Sequence, residues 1–182
     1  MKNLSRQLLF LLVAGLINFS CQEVADKTTN DKMEVTEDAS APQKMNYPYT
    51  IDHPDNWETG SQQNTFNALS ALKEWEKGNI DESLKYFADS VKVRFDRLDK
   101  MLSKDSLKIL FTPDKSLKSV MIKMEDWESV ISKDKKDEYV TLWYTQYFET
   151  MDGKKDSVDV INDLKMKDGK IIGLDEYQRL LH

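Results

Sequence analysis

Three kinds of hydrophobic pattern follow one another along the chain, and each implies a different structure. Leu8 to Phe19 (LLFLLVAGLINF) is an apolar run behind the positive charges of Lys2 and Arg6. It falls short of the ~20 apolar residues that a membrane-spanning helix needs and has the proportions of a secretory signal. Glu23 to Lys44 contains no aromatic residue and no sustained period, so it has too little apolar surface to offset the entropy of ordering it. It reads as a disordered tether. Tyr47-Pro-Tyr-Thr-Ile and Trp57 form an aromatic lead-in. This is expected to pack as an extended arm at a sheet edge, with a lid over a cleft as the alternative.

Helical periodicity starts near Ser61. Phe66, Leu69, Leu72 and Trp75, with Ala68 and Ala71 beside them, make one apolar stripe, and Gly78 suits the position just past the helix end. Asn79 with Glu82 three places on reads as the N-cap of a second helix carrying Ile80, Leu84, Phe87 and Val91. The period then falls to two. Val91, Val93 and Phe95 alternate with Lys92, Arg94 and Asp96, predicting a short strand. Ser103 to Phe111 reads as a short helix stopped before Pro113, and Ser119 to Ile131 is strand-like. Tyr139 to Thr150 (YVTLWYTQYFET) is a strand rich in aromatic and β-branched residues. Asp152-Gly153 and Asp168-Gly169 are two-residue hairpin signals that join 139–150, 156–167 and 170–181 into an antiparallel meander. Helices first and strands last give an α+β domain over residues 57–182.

Composition removes several functions. The chain has 26 Lys+Arg against 32 Asp+Glu, a net charge of −6, and becomes more acidic once Lys2 and Arg6 are removed with a signal. That balance argues against binding the phosphate backbone of nucleic acid. With one cysteine, no intramolecular disulfide is available. The two histidines, His53 and His182, give no basis for a histidine-based triad or a His/Cys metal site. The six glycines include no phosphate-cradling loop. No metal and no cofactor are expected.

Ser20-Cys21 directly after the apolar run resembles a bacterial lipoprotein signal, in which the cysteine is lipidated and becomes the first residue of the mature protein. Asn18 departs from that pattern, which usually has leucine there. The resemblance implies a signal peptide at 1–20, then the lipidated Cys21, tether and lead-in at 21–56. It also implies a lipid anchor in the cell envelope. Gln22 after the cysteine favours the outer membrane, facing the periplasm or the exterior.

The domain resembles the nuclear transport factor 2-like superfamily with its SnoaL-like members. The matching features are a first helix ending at Gly78-Asn79 and a second running into Phe87-Ala-Asp-Ser-Val-Lys-Val. After these come Ser103-Lys-Asp-Ser-Leu, a hairpin at Asp152-Gly153, and Lys167-Asp-Gly-Lys-Ile-Ile before the last strand. The resemblance implies a cone-shaped fold, a curved antiparallel sheet wrapped around N-terminal helices and enclosing a mostly apolar pocket. It also implies where ketosteroid-isomerase chemistry would sit. The general-base position falls at Phe95, one oxyanion-hole position at Ala71 and the other at Asn162. Asp96 lies beside the base position, on the opposite side of a strand.

Asn162 sits in the middle of Val158, Val160, Leu164 and Met166, while Asp159, Asp163, Lys165 and Lys167 point the other way. An amide on an apolar face needs partners; it reads as a ligand anchor or as an asparagine satisfied by backbone or water. In the register of the resemblance, Trp143, Tyr147 and Glu149 fall on the pocket side, and Trp75 either closes the pocket or belongs to the core. The strand 139–150 is apolar on both faces, so something covers both; a homodimer through the sheet face is expected. The expected function is a membrane-tethered lipoprotein domain that binds a small apolar ligand or a protein partner without catalysis. The alternative is a SnoaL-like enzyme of isomerase, cyclase or hydrolase type, acting on a small hydrophobic substrate.

Overall fold

The computed structural model describes residues 46–53 and 57–181. The signal and tether expected at 1–45, with Cys21, lie outside the described residues. Tyr47–His182 make up one compact unit.

Seven strands form one sheet in the order β1-β4-β5-β6-β7-β2-β3. β1 is Trp57–Thr59, β2 Phe87–Phe95, β3 Leu98–Ser103, β4 Leu117–Ser132, β5 Glu138–Thr150, β6 Lys155–Lys167 and β7 Lys170–Leu180. The helices are α1 (Gln62–Glu76), α2 (Ile80–Ser83) and α3 (Lys104–Phe111). All neighbouring strands are antiparallel except β2 and β7. Register shifts interrupt β2/β7 between Phe87 and Lys92, β4/β5 between Met124 and Asp126, and β6/β7 between Lys165 and Met166. Each such irregularity bends its strand and increases the local twist, so the sheet is curved and unclosed, with helices against one face.

α1 starts where Ser61 caps it, its Oγ accepting from the Asn64 amide at 3.3 Å. The buried face of α1 is Asn64, Ala68 and Ala71. Phe66, expected in the apolar stripe, points outward and is exposed. Small side chains on the inner face let the helix approach the sheet closely, and a phenylalanine there would hold it away. Gly78, at φ 78°, turns the chain after the helix.

The second helix is shorter than its periodicity predicts. α2 ends at Ser83, one 3-10 turn follows at Leu84–Tyr86, and Phe87 already pairs with Ile171 of β7. Phe87 and Val91 are four apart, which fits one helical turn and two strand repeats equally well; the parallel ladder with β7 decides for the strand. Asn79 makes no capping hydrogen bond, and its Nδ2 donates to Glu74 Oε2 at 2.7 Å instead.

Only the Trp57 end of the lead-in packs at the sheet edge; Tyr47, Tyr49 and Ile51 are exposed. Trp57, Glu58 and Thr59 pair with Ser132, Ile131 and Val130 of β4, and the Trp57 ring meets His53 and Tyr139 edge-on. At Gly60 an added Cβ would lie 2.1 Å from Ser129 Oγ, so only glycine lets the chain pass from β1 to α1 so close to β4.

The core lies between the concave face of the sheet and the helices. Ala68 and Ala71 of α1, Leu107 of α3, Val91 and Val93 of β2, Val140 and Leu142 of β5, and Ile171 of β7 are all buried. Two hydrogen bonds tie the helices to one another and a third ties α1 to the sheet. Ser83 Oγ donates to the Ala71 carbonyl at 2.8 Å, Trp75 Nε1 to the Phe111 carbonyl at 3.0 Å, and the Ile122 amide to Glu76 Oε1 at 2.8 Å.

Candidate functional site

Between α1, the end of α3 and the concave face of β2, β5, β6 and β7 there is a cavity of about 180 Å³. Its size resembles that of the engineered ~150 Å³ apolar cavity that takes benzene. Its walls are largely hydrocarbon, with Trp75, Phe87, Phe95, Phe111 and Tyr144 supplying the aromatic part. Phe87 and Phe111 stack edge to face at 5.3 Å. Leu110 and Gln178, both exposed, belong to the lining and mark its open side.

Three adjacent strands send polar side chains into this wall: Tyr144 and Gln146 from β5, Asn162 from β6, and Glu176 and Gln178 from β7. Asn162 stands opposite Leu142 on one side and Glu176 on the other. Its Nδ2 donates to Tyr144 Oη at 2.9 Å, a buried hydrogen bond. Its Oδ1 is buried and accepts from nothing, although Asn162 is only 6 % exposed. An unpaired acceptor of this kind costs free energy that a bound donor would recover. Burial, more than any other cause, raises the Glu176 carboxyl above its ordinary value, and the hydrogen bond from Gln178 Nε2 at 2.8 Å pulls it down. The Tyr144 phenol is pushed far up, first by burial and then by the nearby Glu176 charge, against the pull of Asn162. Tyr144 therefore stays a neutral hydroxyl. Glu176 is the group on this wall that exchanges a proton most readily.

The residues singled out by sequence divide between two faces. Asn162 and Trp75 line the cavity, as do Ala71 and Phe95, where the resemblance puts an oxyanion-hole position and the general base. Trp143, Tyr147 and Glu149 do not. They alternate with Leu142, Tyr144 and Gln146, which face the cavity, and so lie on the outer face of the sheet. There Glu149 forms ion pairs with Lys118 at 2.6 Å and Lys155 at 3.8 Å, which hold its carboxyl below the ordinary value rather than above it. Trp143, Ile161 and Tyr177 lie opposite one another across β5, β6 and β7 and form an outer row. The homodimer expectation rests on that face. Asp96, with φ 49°, sits in the turn between β2 and β3 rather than in the wall.

Tyr144 and Glu176 were not anticipated. Among the described residues, no group of three or more His, Cys, Asp or Glu side chains is arranged to hold a metal ion.

No protein-family model matches the sequence, and no curated protein matches it. Solved structures do resemble it. A putative polyketide cyclase from Acidithiobacillus ferrooxidans aligns with a TM-score of 0.54 at 15% identity, over 65% of this chain and 89% of that one. RV0760c from Mycobacterium tuberculosis, in complex with estradiol-17beta-hemisuccinate, aligns at 0.53 and 13% identity over 66% of this chain and 96% of its own. An LEH-like epoxide hydrolase of M. tuberculosis aligns at 0.52 and 11% identity, covering 65% and 84%. The domain thus has the nuclear transport factor 2-like, SnoaL-like fold. At these identities the likeness concerns the fold alone, and fold does not carry function.

Proposed function

We propose that the domain takes a small, largely apolar molecule into the concave-face cavity and holds its polar group on Tyr144, Asn162 and Glu176. The observation that carries this reading is the buried, unpartnered Oδ1 of Asn162 on a largely hydrocarbon wall. A small-molecule site is typically a mostly apolar concavity with a few convergent polar groups, and this cavity has that composition. The estradiol derivative bound by one structural neighbour supports the same use of the fold. The test is a calorimetric titration with 2-phenylethanol as a simple probe. Saturable binding to the wild type, lost in a folded Asn162→Leu variant, is the expected result. Binding that survives the substitution would remove the polar trio from the site.

One observation favours a second reading, proton-transfer catalysis. A carboxyl with a raised pKa on a cavity wall, beside a hydroxyl–amide pair, has the properties of a general acid–base. The cyclase and epoxide-hydrolase neighbours fit such an enzyme. Diol formation from styrene oxide above background, abolished in Glu176→Gln, would establish it; equal rates in both proteins would dismiss it for this substrate class.

We further propose that Cys21 carries lipid and tethers the domain to the outer membrane through the polar segment that follows. The support is the order of the sequence: a short positive start, an apolar run, then Ser20-Cys21 and an aromatic-free stretch to Lys44.

A further inference from the structure

We propose that the molecule held in this cavity is a small amine with an aromatic or aliphatic body, its ammonium group received by Glu176 and Asn162 Oδ1. This rests on the reading above that the cavity is a ligand site, and it names the chemical class of the occupant.

The argument starts from the polar inventory of the wall. Ser83 Oγ is already committed to the Ala71 carbonyl. Asn162 Nδ2 is committed to Tyr144 Oη. The other polar side chains of the lining are Asn162, whose Oδ1 is unpartnered, with Glu176, Tyr144, Gln146 and Gln178. Among them Glu176 alone carries charge, and that charge is negative, while the free oxygen of Asn162 can only accept. Among the described residues no Lys, Arg or His lines the cavity, so Glu176 has no cation of its own there. An entering carboxylate or phosphate would meet a like charge with nothing to neutralise it. An ammonium supplies three donors and the missing positive charge, and hydrogen bonds between ionised partners are the strong ones.

The rest of the lining suits a cation as well. Trp75, Phe87, Phe95, Phe111 and Tyr144 present ring surface on several sides, and aromatic faces attract ammonium groups when water is excluded. The acidic net charge of −6 raises the local concentration of cations around the domain. Asn162, on the strand between Tyr144 and Glu176, sets the place where the nitrogen sits.

The test compares three matched probes, 2-phenylethylamine, 2-phenylethanol and 3-phenylpropanoate, by calorimetry on the full chain. The amine is expected to bind roughly tenfold more tightly than the alcohol, and the carboxylate not to bind. Glu176→Gln is expected to erase the preference for amine over alcohol. A measurement on the wild type checks the same point without a variant. Amine affinity falls as the pH is lowered through the raised pKa of Glu176, while Tyr144, the other titratable group on the wall, stays protonated. Equal affinity for amine and alcohol, or tighter binding of the carboxylate, would overturn the amine assignment and leave the cavity reading standing. A preference for amine that persists in Glu176→Gln would overturn it as well. Failure of all three probes would overturn both.

Discussion

Glu176 shows at the scale of one residue how a binding wall and fold stability conflict. Its carboxyl is raised from an ordinary 4.5 chiefly by burial, so folding favours the protonated form. Below the unfolded pKa both states hold the proton and the residue costs nothing. As the pH rises from there through the folded pKa the native state loses stability, and above it the loss is constant. Glu176→Gln is therefore expected to raise the melting temperature at neutral pH, with the gain shrinking to nothing as the pH falls toward 4.5. Melting curves of both proteins across that range check the sign; a gain that grows at low pH contradicts it. Asn162→Leu has a different expectation. It removes one hydrogen bond to Tyr144 together with an acceptor that had no partner. Because the buried Tyr144 hydroxyl loses its partner, stability should fall by about 1–3 kcal/mol, read from denaturation midpoints.

At the scale of elements, turns decide which side chains meet. The Asp168-Gly169 turn is a two-residue hairpin, with both residues at positive φ (50° and 76°). Gly169→Ala forces a side chain into that left-handed conformation and is expected to cost about 1–2 kcal/mol in denaturation. The Asp152-Gly153 turn carries the same dipeptide but is four residues long, from Met151 to Lys154, closed by the Thr150 amide donating to the Lys154 carbonyl at 2.9 Å. A two-residue loop there would set Trp143 opposite Asn162; the longer loop sets Leu142 there. One residue of slip exchanges the faces of a strand, and this is why Tyr144 rather than Trp143 reaches the cavity. β5 is apolar on both sides, so its own pattern could not correct the error. β6 could be read because its outer face is charged, which left Asn162 conspicuous among Val160 and Leu164. Glu176 was hidden by a different irregularity. Counting back from the Asp168-Gly169 turn puts Asp175 opposite Asn162, and the register shift between Lys165 and Met166 moves Glu176 there instead. The helices were legible at their starts, through Ser61 and Ser103, whose side chains accept from Asn64 and Ser106. They were not legible where Phe87 and Val91 fit two periods at once.

At the scale of the molecule, the account joins a proposed anchor to a proposed ligand site. Cys21→Ser is expected to move the protein from the membrane fraction to the soluble one, seen by fractionation; an unchanged distribution would dismiss the lipid. The central claim concerns the cavity, and the four tryptophans supply the direct measurement. Trp75 lines the cavity with its indole N–H on the Phe111 carbonyl, Trp143 lies on the outer face, and Trp57 and Trp127 are exposed. In an NMR titration of the indole N–H signals with 2-phenylethylamine, the account predicts a saturable shift of the Trp75 resonance with those of Trp57, Trp127 and Trp143 unmoved. A shift confined to Trp143, or none at Trp75 while the probe binds, would contradict it.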